Sequence, residues 1–474
     1  MKMPPKCLTS IRDQLANASD CSNRFLWGAA DCVSLGGLLR GTSLGGRRLE
    51  LSGRSVLLST RDPFAAALAL IELDGIAARL IICPPDISPE HLPAVIAKGG
   101  VDAIVSDHDL RDQSGFGGCL RVIRTSAAIQ PVKGEQVEYR PTQWVLMTSG
   151  TTGAPKMLIH NLRSLTAAIN SSLNQETDIV WGTFYDIRRF GGLQIFLRAL
   201  LGRGSFVLSS AAESVPDYLL RLGAHAATHV SGTPSHWRRA LMSPQARAIA
   251  PRYIRLSGEI ADQGILNALR SFYPQAHIGH AFASTEAGVG FEVNDGLEGF
   301  PASMVGARGE AEIKIDNGSL RIRSARTALG YVDRENGVLA DDEGFVDTGD
   351  IVELRGDRYY FLGRRNGVIN VGGLKVYPEE VEAVINRHPA VRMSVVRSRR
   401  NPITGALVSA DVVLKEVLKG EPVSSSSDSQ IADFKREIIQ ICRESLAAHK
   451  VPVTIRCVPV LELASAGKLA RQHA

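Results

Sequence analysis

Short apolar runs alternate with amphipathic stretches through the first half of the chain. Between residues 55 and 107 the pattern predicts strand, helix, strand, helix and strand, in the order SVLLS, PFAAALALIELDG, RLIIC, SPEHLPAVIAKGG and VDAIVSD. Asp62 precedes the first helix as an N-cap, and Ser88 with Pro89 begins the second. Because crossovers of this kind build doubly wound sheets, we expect a parallel α/β fold.

A second alternation of strands and helices extends from Trp181 to about Thr285 and predicts more sheet of the same type. After Gly306 the pattern changes to short β-rich pieces joined by turns, as at residues 316–318, and beyond Gly363 helices and strands mix. The predicted fold class is therefore α/β. We expect residues 1–362 to form a large N-terminal domain of doubly wound sheets with a small β subdomain at about 306–362. We expect residues 363–474 to form a small α+β C-terminal domain.

Composition narrows the class of protein. A chain of 474 residues exceeds the roughly 250–300 residues at which single cores stop growing, so at least two domains are expected. The net charge of +5 is spread over 54 basic and 49 acidic residues without a long basic block, and nucleic acid is not an expected partner. Seven scattered cysteines, the absence of a signal-peptide core and the absence of a membrane-spanning apolar run predict a cytoplasmic protein.

The stretch from Thr148 to Lys156 carries the clearest chemistry, because it follows the apolar strand at 144–147 directly. Hydroxyl residues and glycines make a loop rich in N–H and O–H donors, and Lys156 adds a positive charge, which favours phosphate. No Gly-Lys-Ser/Thr closes the loop, which disfavours a kinase or a nucleotide hydrolase. The candidate phosphate-binding residues are Thr148, Ser149, Gly150, Thr151, Thr152, Gly153 and Lys156.

The order Thr-Ser-Gly-Thr-Thr-Gly-Ala-Pro-Lys resembles the phosphate-binding loop of the adenylate-forming superfamily. That superfamily includes acyl-CoA synthetases, the adenylation domains of nonribosomal peptide synthetases and firefly luciferase, and further motifs recur in order along nearly the whole chain. The resemblance implies ATP and Mg²⁺ as cofactors and a C-terminal domain that is mobile about a hinge.

Two further stretches resemble the nucleotide-binding motifs of that superfamily. Residues 282–286 are similar to its Tyr-Gly-x-Thr-Glu element, which implies that Phe282 packs near adenine, Thr285 contacts the α-phosphate and Glu286 is the metal ligand. The sequence Ser257, Gly258 and Glu259 is similar to the Gly-Gly-Glu stretch that lines the adenine pocket.

The hinge and the C-terminal region carry the remaining resemblance. Asp350 matches the aspartate that accepts hydrogen bonds from both ribose hydroxyls, and Arg364 is expected near the ribose. Asn366 occupies the hinge position where the superfamily usually has Asp. Gly372 and Gly373 lie in the loop along which CoA would approach. In the terminal Gly-Lys motif the resemblance implies a catalytic lysine, Lys468.

The resemblance implies activation of a small-molecule carboxylic acid as an acyl-adenylate, with release of pyrophosphate and acyl transfer to a thiol. The sequence PEEVE at 378–382 is more similar to acyl-CoA ligases, so CoA is the expected acceptor. A stand-alone enzyme that loads a carrier protein and a non-catalytic nucleotide-binding homologue are the alternatives.

The acid is expected to be aromatic, short or of medium length. Its pocket is expected near Tyr185, Arg189 and Gly192, where the superfamily has a His or aromatic gate. Arg188 and Arg189 would meet an anionic or polar substrate group or the phosphates, and the alternative for both is a surface loop.

Overall fold

The computed structural model describes residues 10–18, 20–109, 121–132, 138–148, 155–169, 178–401, 404–415, 417–418, 421–422 and 428–462. The strands are β1 (Phe25–Trp27), β2 (Cys32–Ser34), β3 (Gly41–Thr42), β4 (Ser55–Ser59), β5 (Arg79–Ile82), β6 (Ala103–Ser106), β7 (Arg121–Arg124), β8 (Gln130–Pro131), β9 (Gln143–Thr148), β10 (Lys156–His160), β11 (Val180–Thr183), β12 (Ser205–Val207), β13 (His229–Gly232), β14 (Tyr253–Ser257), β15 (His277–Ser284), β16 (Gly288–Val293), β17 (Phe300–Pro301), β18 (Ala311–Asp316), β19 (Ser319–Ser324), β20 (Gly330–Tyr331), β21 (Val346–Arg355), β22 (Arg358–Arg364), β23 (Ile369–Val371), β24 (Leu374–Val376), β25 (Val391–Asn401), β26 (Gly405–Leu414), β27 (Val417–Leu418), β28 (Glu421–Pro422) and β29 (Thr454–Cys457). The helices are α1 (Ile11–Ala16), α2 (Leu35–Leu39), α3 (Pro63–Leu73), α4 (Leu92–Gly99), α5 (Leu162–Thr166), α6 (Phe190–Leu201), α7 (Val215–Ala224), α8 (Pro234–Ala240), α9 (Gln263–Phe272), α10 (Pro378–Ile385) and α11 (Asp428–Ser445).

Two mainly parallel sheets form the large N-terminal part. The eight-stranded sheet has the order β16-β15-β14-β13-β11-β12-β1-β2, with antiparallel strands only at its two edges. The seven-stranded sheet has the order β20-β10-β9-β5-β4-β6-β7, and its β9 and β10 form an antiparallel pair. Apolar side chains from both sheets and from α3 and α6 share one core, in which Phe64, Trp144, Phe196 and Phe206 are buried. The sheets are therefore held together by one continuous apolar layer.

The elements predicted between residues 55 and 107 are confirmed, with one local difference. Asp62 caps α3 through a 2.9 Å hydrogen bond from the Phe64 amide to its side chain, and every one of the 11 residues of α3 is buried. The second predicted helix begins as a 3₁₀ turn, and its α-helical part starts only at Leu92. The Ser88 side chain donates a hydrogen bond to the Glu90 carboxylate and does not cap the helix, which explains why the helix begins with a 3₁₀ turn.

A five-stranded antiparallel sheet, β17-β22-β21-β19-β18, follows the two large sheets and corresponds to the predicted β subdomain. The turn at 316–318 is a tight hairpin, because Asn317 and Gly318 have φ of 49° and 76°. β22 continues to Arg364, just beyond the predicted domain boundary. The region after it packs α10 and α11 against the β25-β26-β29 sheet. Among the described residues, no helix combines the length and the apolar character needed to cross a membrane.

Candidate active site

The carboxyl ends of four parallel strands lie side by side in the eight-stranded sheet. β11, β13, β14 and β15 end at Thr183, Gly232, Ser257 and Ser284, and Ser257 is the register partner of Ala281 on β15. In doubly wound sheets, ligands bind outside the carboxyl ends of the strands. This edge is therefore the candidate active site.

The predicted adenine stretch follows β14 at this edge. Tyr185 Oη donates a 2.5 Å hydrogen bond to the Ser257 carbonyl oxygen, and Gly258 adopts φ of 85°, which favours glycine. Glu259 accepts a 2.9 Å hydrogen bond from the Ser235 amide in the first turn of α8, where a carboxylate is favourable. The Glu259 side chain thus orders the turn, and the exposed backbone at Gly258 faces outward.

Thr285 and Glu286 lie in the turn between β15 and β16, and this turn is tied to the other large sheet. The imidazole Nε2 of His160, on β10, lies 2.8 Å from the Thr285 carbonyl oxygen, and Nδ1 lies 3.1 Å from Ser164 Oγ. Because a carbonyl oxygen only accepts, Nε2 carries the proton. Burial lowers the pKa of His160 to about 4, so the ring is neutral at neutral pH. His160 is therefore a positioning residue for Thr285, and the sequence motifs did not indicate it.

We expect His160→Ala to reduce the rate constant of adenylation by about tenfold while the KM for ATP changes less, because the Thr285 carbonyl loses its donor. His160→Gln, whose amide can still donate, should restore part of the rate. Since the pKa of His160 is lowered, its contribution to stability is lost as the pH falls from 6.5 through about 4. Steady-state kinetics of the two variants test the rate effect, and thermal melts between pH 6.5 and 4 test the pH dependence of stability. Equal rate constants in His160→Ala and His160→Gln would contradict the positioning role.

Lys156 and Glu286 lie near one aromatic ring that no sequence motif indicated. Lys156 is the register partner of Thr148, and its Nζ lies 5.6 Å from the centre of the Tyr331 ring on β20. Burial and the Glu286 charge together raise the pKa of Tyr331. Tyr331 is near both charges because β20 pairs with β10, a long-range contact that no local pattern indicates.

Several predicted residues lie outside the part of the chain that the structure describes. β9 ends at Thr148 and β10 begins at Lys156, so the structure positions both ends of the predicted phosphate loop. The residues outside the described ranges are Ser149, Gly150, Thr151, Thr152, Gly153 and Lys468.

Phe282 occupies the end of β15 beside a register shift between Phe282 and Ala283. Its ring stacks with the rings of Phe291 and Phe361, each with a centroid separation of 5.6 Å. The ring therefore joins the eight-stranded sheet to the five-stranded sheet, and its contact with adenine stays a prediction.

Asp350 and Arg364 are register partners on β21 and β22, and Arg364 Nε donates a 3.2 Å hydrogen bond to Asp350 Oδ1. The neighbouring Arg365 reaches Asp347 with a 3.1 Å contact, and Asn366 lies in the 3₁₀ turn that follows. The structure thus brings together the two residues predicted to contact the ribose, directly before the predicted hinge.

Gly372 and Gly373 form the tight turn between β23 and β24. Their φ angles are 59° and 88°, and the turn is held by hydrogen bonds of 2.9 Å from the Gly372 amide to the Thr404 carbonyl oxygen and 2.8 Å from the Gly373 amide to Asn370 Oδ1. A Cβ at Gly373 would meet no atom within 4 Å, so backbone conformation requires glycine here and space does not. The exposed turn leaves room for a ligand to approach its backbone.

The arginines of the segment expected to gate the acid pocket make contacts within the protein itself. Arg188 is buried and donates hydrogen bonds to Asp186 and to the carbonyl oxygens of residues 60 and 61. The alternative of a surface loop is therefore wrong for this residue. Its positive charge is paired with Asp186. Arg189 pairs with Asp86. A Cβ at Gly192 would collide with the Asp186 carbonyl oxygen, so the close backbone contact requires glycine. Substrate contacts of Tyr185, Arg189 and Gly192 stay a prediction.

Comparisons with known proteins agree with this arrangement. A family model described as AMP-binding enzyme matches residues 64–332, and one described as AMP-binding enzyme C-terminal domain matches residues 380–468. The chain is 25% identical over 443 residues to a 2-succinylbenzoate–CoA ligase of Bacillus velezensis, covering 89% of this chain and 82% of that protein.

Solved structures show the same fold. An anthranilate CoA ligase in complex with anthranoyl-AMP has a TM-score of 0.79 at 19% identity and covers 97% of this chain and 95% of its own. An o-succinylbenzoate coenzyme A synthetase from Bacillus subtilis, in complex with ATP and magnesium ion, has a TM-score of 0.74 at 20% identity and covers 97% and 98%.

Proposed function

Because the chain belongs to the family of AMP-binding enzymes, whose model matches more than half of its length, we propose that it is an AMP-forming acyl-CoA ligase. It uses ATP and Mg²⁺ to convert a carboxylic acid into an acyl-adenylate with release of pyrophosphate. It then transfers the acyl group to the thiol of CoA.

The observation that carries this proposal is the meeting of the two large sheets at one edge. The His160 hydrogen bond holds the turn of Thr285 and Glu286 beside the antiparallel pair of β9 and β10. In that pair, β9 ends at Thr148 and β10 begins at Lys156. A carboxylate, a hydroxyl residue and an ammonium group are thereby gathered where a nucleotide would lie. Such a site can hold a polyphosphate and a divalent cation together.

We assign roles to the described residues from their positions and to Lys468 and the predicted loop from the sequence motifs alone. Thr285 contacts the α-phosphate, Lys156 and the predicted loop bind the β- and γ-phosphates, and Lys468 stabilises the charge that develops on the transferring phosphorus. Carboxylates are poor electrophiles, so alignment and charge stabilisation supply most of the rate enhancement. Asp350 accepts from the ribose hydroxyls and Arg364 holds that carboxylate in place.

The donors at this edge fit Mg²⁺. Mg²⁺ is usually bound by one or two carboxylates together with water and substrate phosphate oxygens. Glu286 is half-buried in its turn, and the Ala328 amide fixes the backbone there with a 3.0 Å hydrogen bond to the Glu286 carbonyl oxygen. The carboxylate therefore has an ordered attachment from which to bind the cation.

Free cysteines support a reducing compartment, and we propose that the protein acts in the cytoplasm. Five described cysteines are free, and Cys21, Cys83 and Cys442 among them are buried. Burial raises the pKa of each of these three thiols, so they stay protonated and unreactive.

The proposed function is tested by measuring acid-dependent pyrophosphate release with ATP and Mg²⁺, followed by thioester formation with CoA or with a holo-carrier protein. We expect AMP as the nucleotide product and CoA as the better acceptor. Transfer to the carrier protein alone would identify a loading enzyme. No release with any aromatic, short-chain, medium-chain or dicarboxylic acid would contradict the proposal and favour a non-catalytic nucleotide-binding homologue.

The two half-reactions should respond differently to the turn at Gly372 and Gly373. We expect Gly373→Val to slow thioester formation by at least about tenfold, because a β-branched residue is strained at φ of 88° and would narrow the approach of the thiol. Adenylation should stay within about twofold of wild type, because this turn lies outside the nucleotide edge. Gly306→Val, at a turn glycine of the β subdomain with φ of 74° and no atom within 4 Å of a Cβ, is the control; slower adenylation in Gly373→Val alone would contradict the assignment.

A further inference from the structure

A buried arginine lies between the two large sheets, just below the candidate active site. Arg255 is on β14, two positions before Ser257, and its side chain is 4% exposed. Its neighbours on the strand, Ile254 and Leu256, lie in the core on the opposite face of the sheet. Arg255 therefore projects into the layer between the two sheets, on the same face as Ser257.

The guanidinium of Arg255 is only partly satisfied by the protein. Glu292 Oε2 lies 3.5 Å from Arg255 Nη2, and the other oxygen of Glu292 accepts from the Tyr253 hydroxyl. Within the described part of the chain, neither Nε nor Nη2 of Arg255 has an acceptor in hydrogen-bonding geometry. These two nitrogens lie on one edge of the planar group and present parallel N–H bonds, the arrangement that binds both oxygens of a carboxylate.

The surroundings of this edge carry excess positive charge. Arg198 on α6 and Arg326 both interact electrostatically with Arg255, and burial followed by the Arg255 charge lowers the pKa of Arg198. Among the described residues, Glu292 and the largely exposed Glu310 are the carboxylates that meet these three guanidinium groups. Since a buried charge is costly unless it is paired, the cluster favours one further anion.

Tyr185 connects this cluster to the active-site edge. Its hydroxyl donates to the Ser257 carbonyl oxygen, and its ring is buried where the charges of Arg255 and Glu259 both reach it. Tyr185 therefore links the carboxyl end of β14 to the surroundings of Arg255.

We propose that Arg255 binds a second carboxylate of the acid substrate through its Nε and Nη2 edge, so that the enzyme activates dicarboxylic acids. This inference rests on the proposed function and names its substrate class. One carboxylate is activated at Thr285, and the other pairs with Arg255 between the sheets.

The register of the sheet sets the spacing of the two acidic groups. Arg255 is the partner of Gly279 on β15, and Thr285 lies six positions further along the chain, which is at most about 20 Å because β15 is irregular at Phe282 and Ala283 and ends at Ser284. Acids with carboxylates on neighbouring carbons are too short to reach both ends. A chain or ring must therefore separate the two groups.

The test compares linear dicarboxylic acids, from adipic to dodecanedioic acid, with the matching monocarboxylic acids in pyrophosphate release. We expect wild type to prefer a longer dicarboxylic acid by at least about 10²-fold in kcat/KM, because the monoacid leaves buried donors unpaired. The variants are Arg255→Met and Arg255→Met with Glu292→Gln, the second of which leaves no unpaired buried carboxylate. Arg252→Met, an exposed arginine beside the same strand, is the control.

Both Arg255 variants, checked by thermal melts, should lose the preference and keep or gain turnover of monoacids, and the control should match wild type. Equal turnover of monoacids and dicarboxylic acids by wild type would overturn this inference and leave the proposed function intact. A preference that persists in the double variant would also overturn it. No release with any acid would overturn the proposed function itself, and the inference with it.

Discussion

Glu286→Gln is expected to reduce acid-dependent pyrophosphate release by about 10²- to 10³-fold, the usual cost of removing one preorganised charge-stabilising group. Glutamine keeps the shape of the side chain, so the turn held by the Ala328 amide should stay folded. The charge that binds Mg²⁺ is lost, and its replacement is a weaker neutral ligand. The Mg²⁺ concentration for half-maximal rate should therefore rise.

The matched control is Glu335→Gln, which removes an exposed carboxylate that lies 3.8 Å from Lys98 Nζ. This control should show wild-type rates and wild-type Mg²⁺ dependence. A Glu286→Gln enzyme with an unchanged rate and an unchanged Mg²⁺ midpoint would remove Glu286 from the metal site.

Lys468→Ala is expected to slow the adenylation half-reaction by at least about 10²-fold and to leave thioester formation from supplied acyl-adenylate near the wild-type rate. The reason is that the lysine stabilises the pentacoordinate phosphorus, which forms only during adenylation, whereas the thiol attacks the acyl carbon and phosphorus keeps its four oxygens. The family model of the C-terminal domain ends at this residue, and the assignment of Lys468 comes from the sequence motif.

Lys415→Ala serves as the control, because Lys415 is an exposed lysine of the same C-terminal region. Both half-reactions should proceed normally in that variant. Equal loss in both half-reactions of Lys468→Ala would indicate a general structural role, and no loss in either would exclude Lys468 from catalysis.

Local patterns predicted the elements of the fold well because each pattern lies within one element. The cap at Asp62, the apolar run of α3 and the tight turn at 316–318 depend on neighbours in sequence, and the structure has each of them. Motifs also predicted which residues gather at the edge, since Ser257 ends β14 and Thr285 directly follows the adjacent β15.

Contacts between distant elements were beyond local patterns. In the sequence, His160 is a single histidine at the end of a strand, with no motif around it. Its hydrogen bond to the Thr285 carbonyl oxygen forms only when the two sheets pack together. Tyr331 joins the site through the pairing of β20 with β10. Arginine is usually a surface residue, so the sequence does not indicate that Arg188 is buried. Only the folded chain supplies the carbonyl oxygens that accept hydrogen bonds from its guanidinium group.

The complete burial of α3 has a consequence for how the chain folds. Its 11 residues belong to the first parallel unit, but Phe64 packs in a core that also contains Phe196 and Phe206, far later in the sequence. Until those residues are synthesised, the side of α3 that packs against them exposes apolar surface. Contacts of such long sequence separation make folding slow and leave early intermediates prone to aggregation. Fragments that end before β12 should therefore be insoluble, and chaperones should bind the nascent chain over this helix.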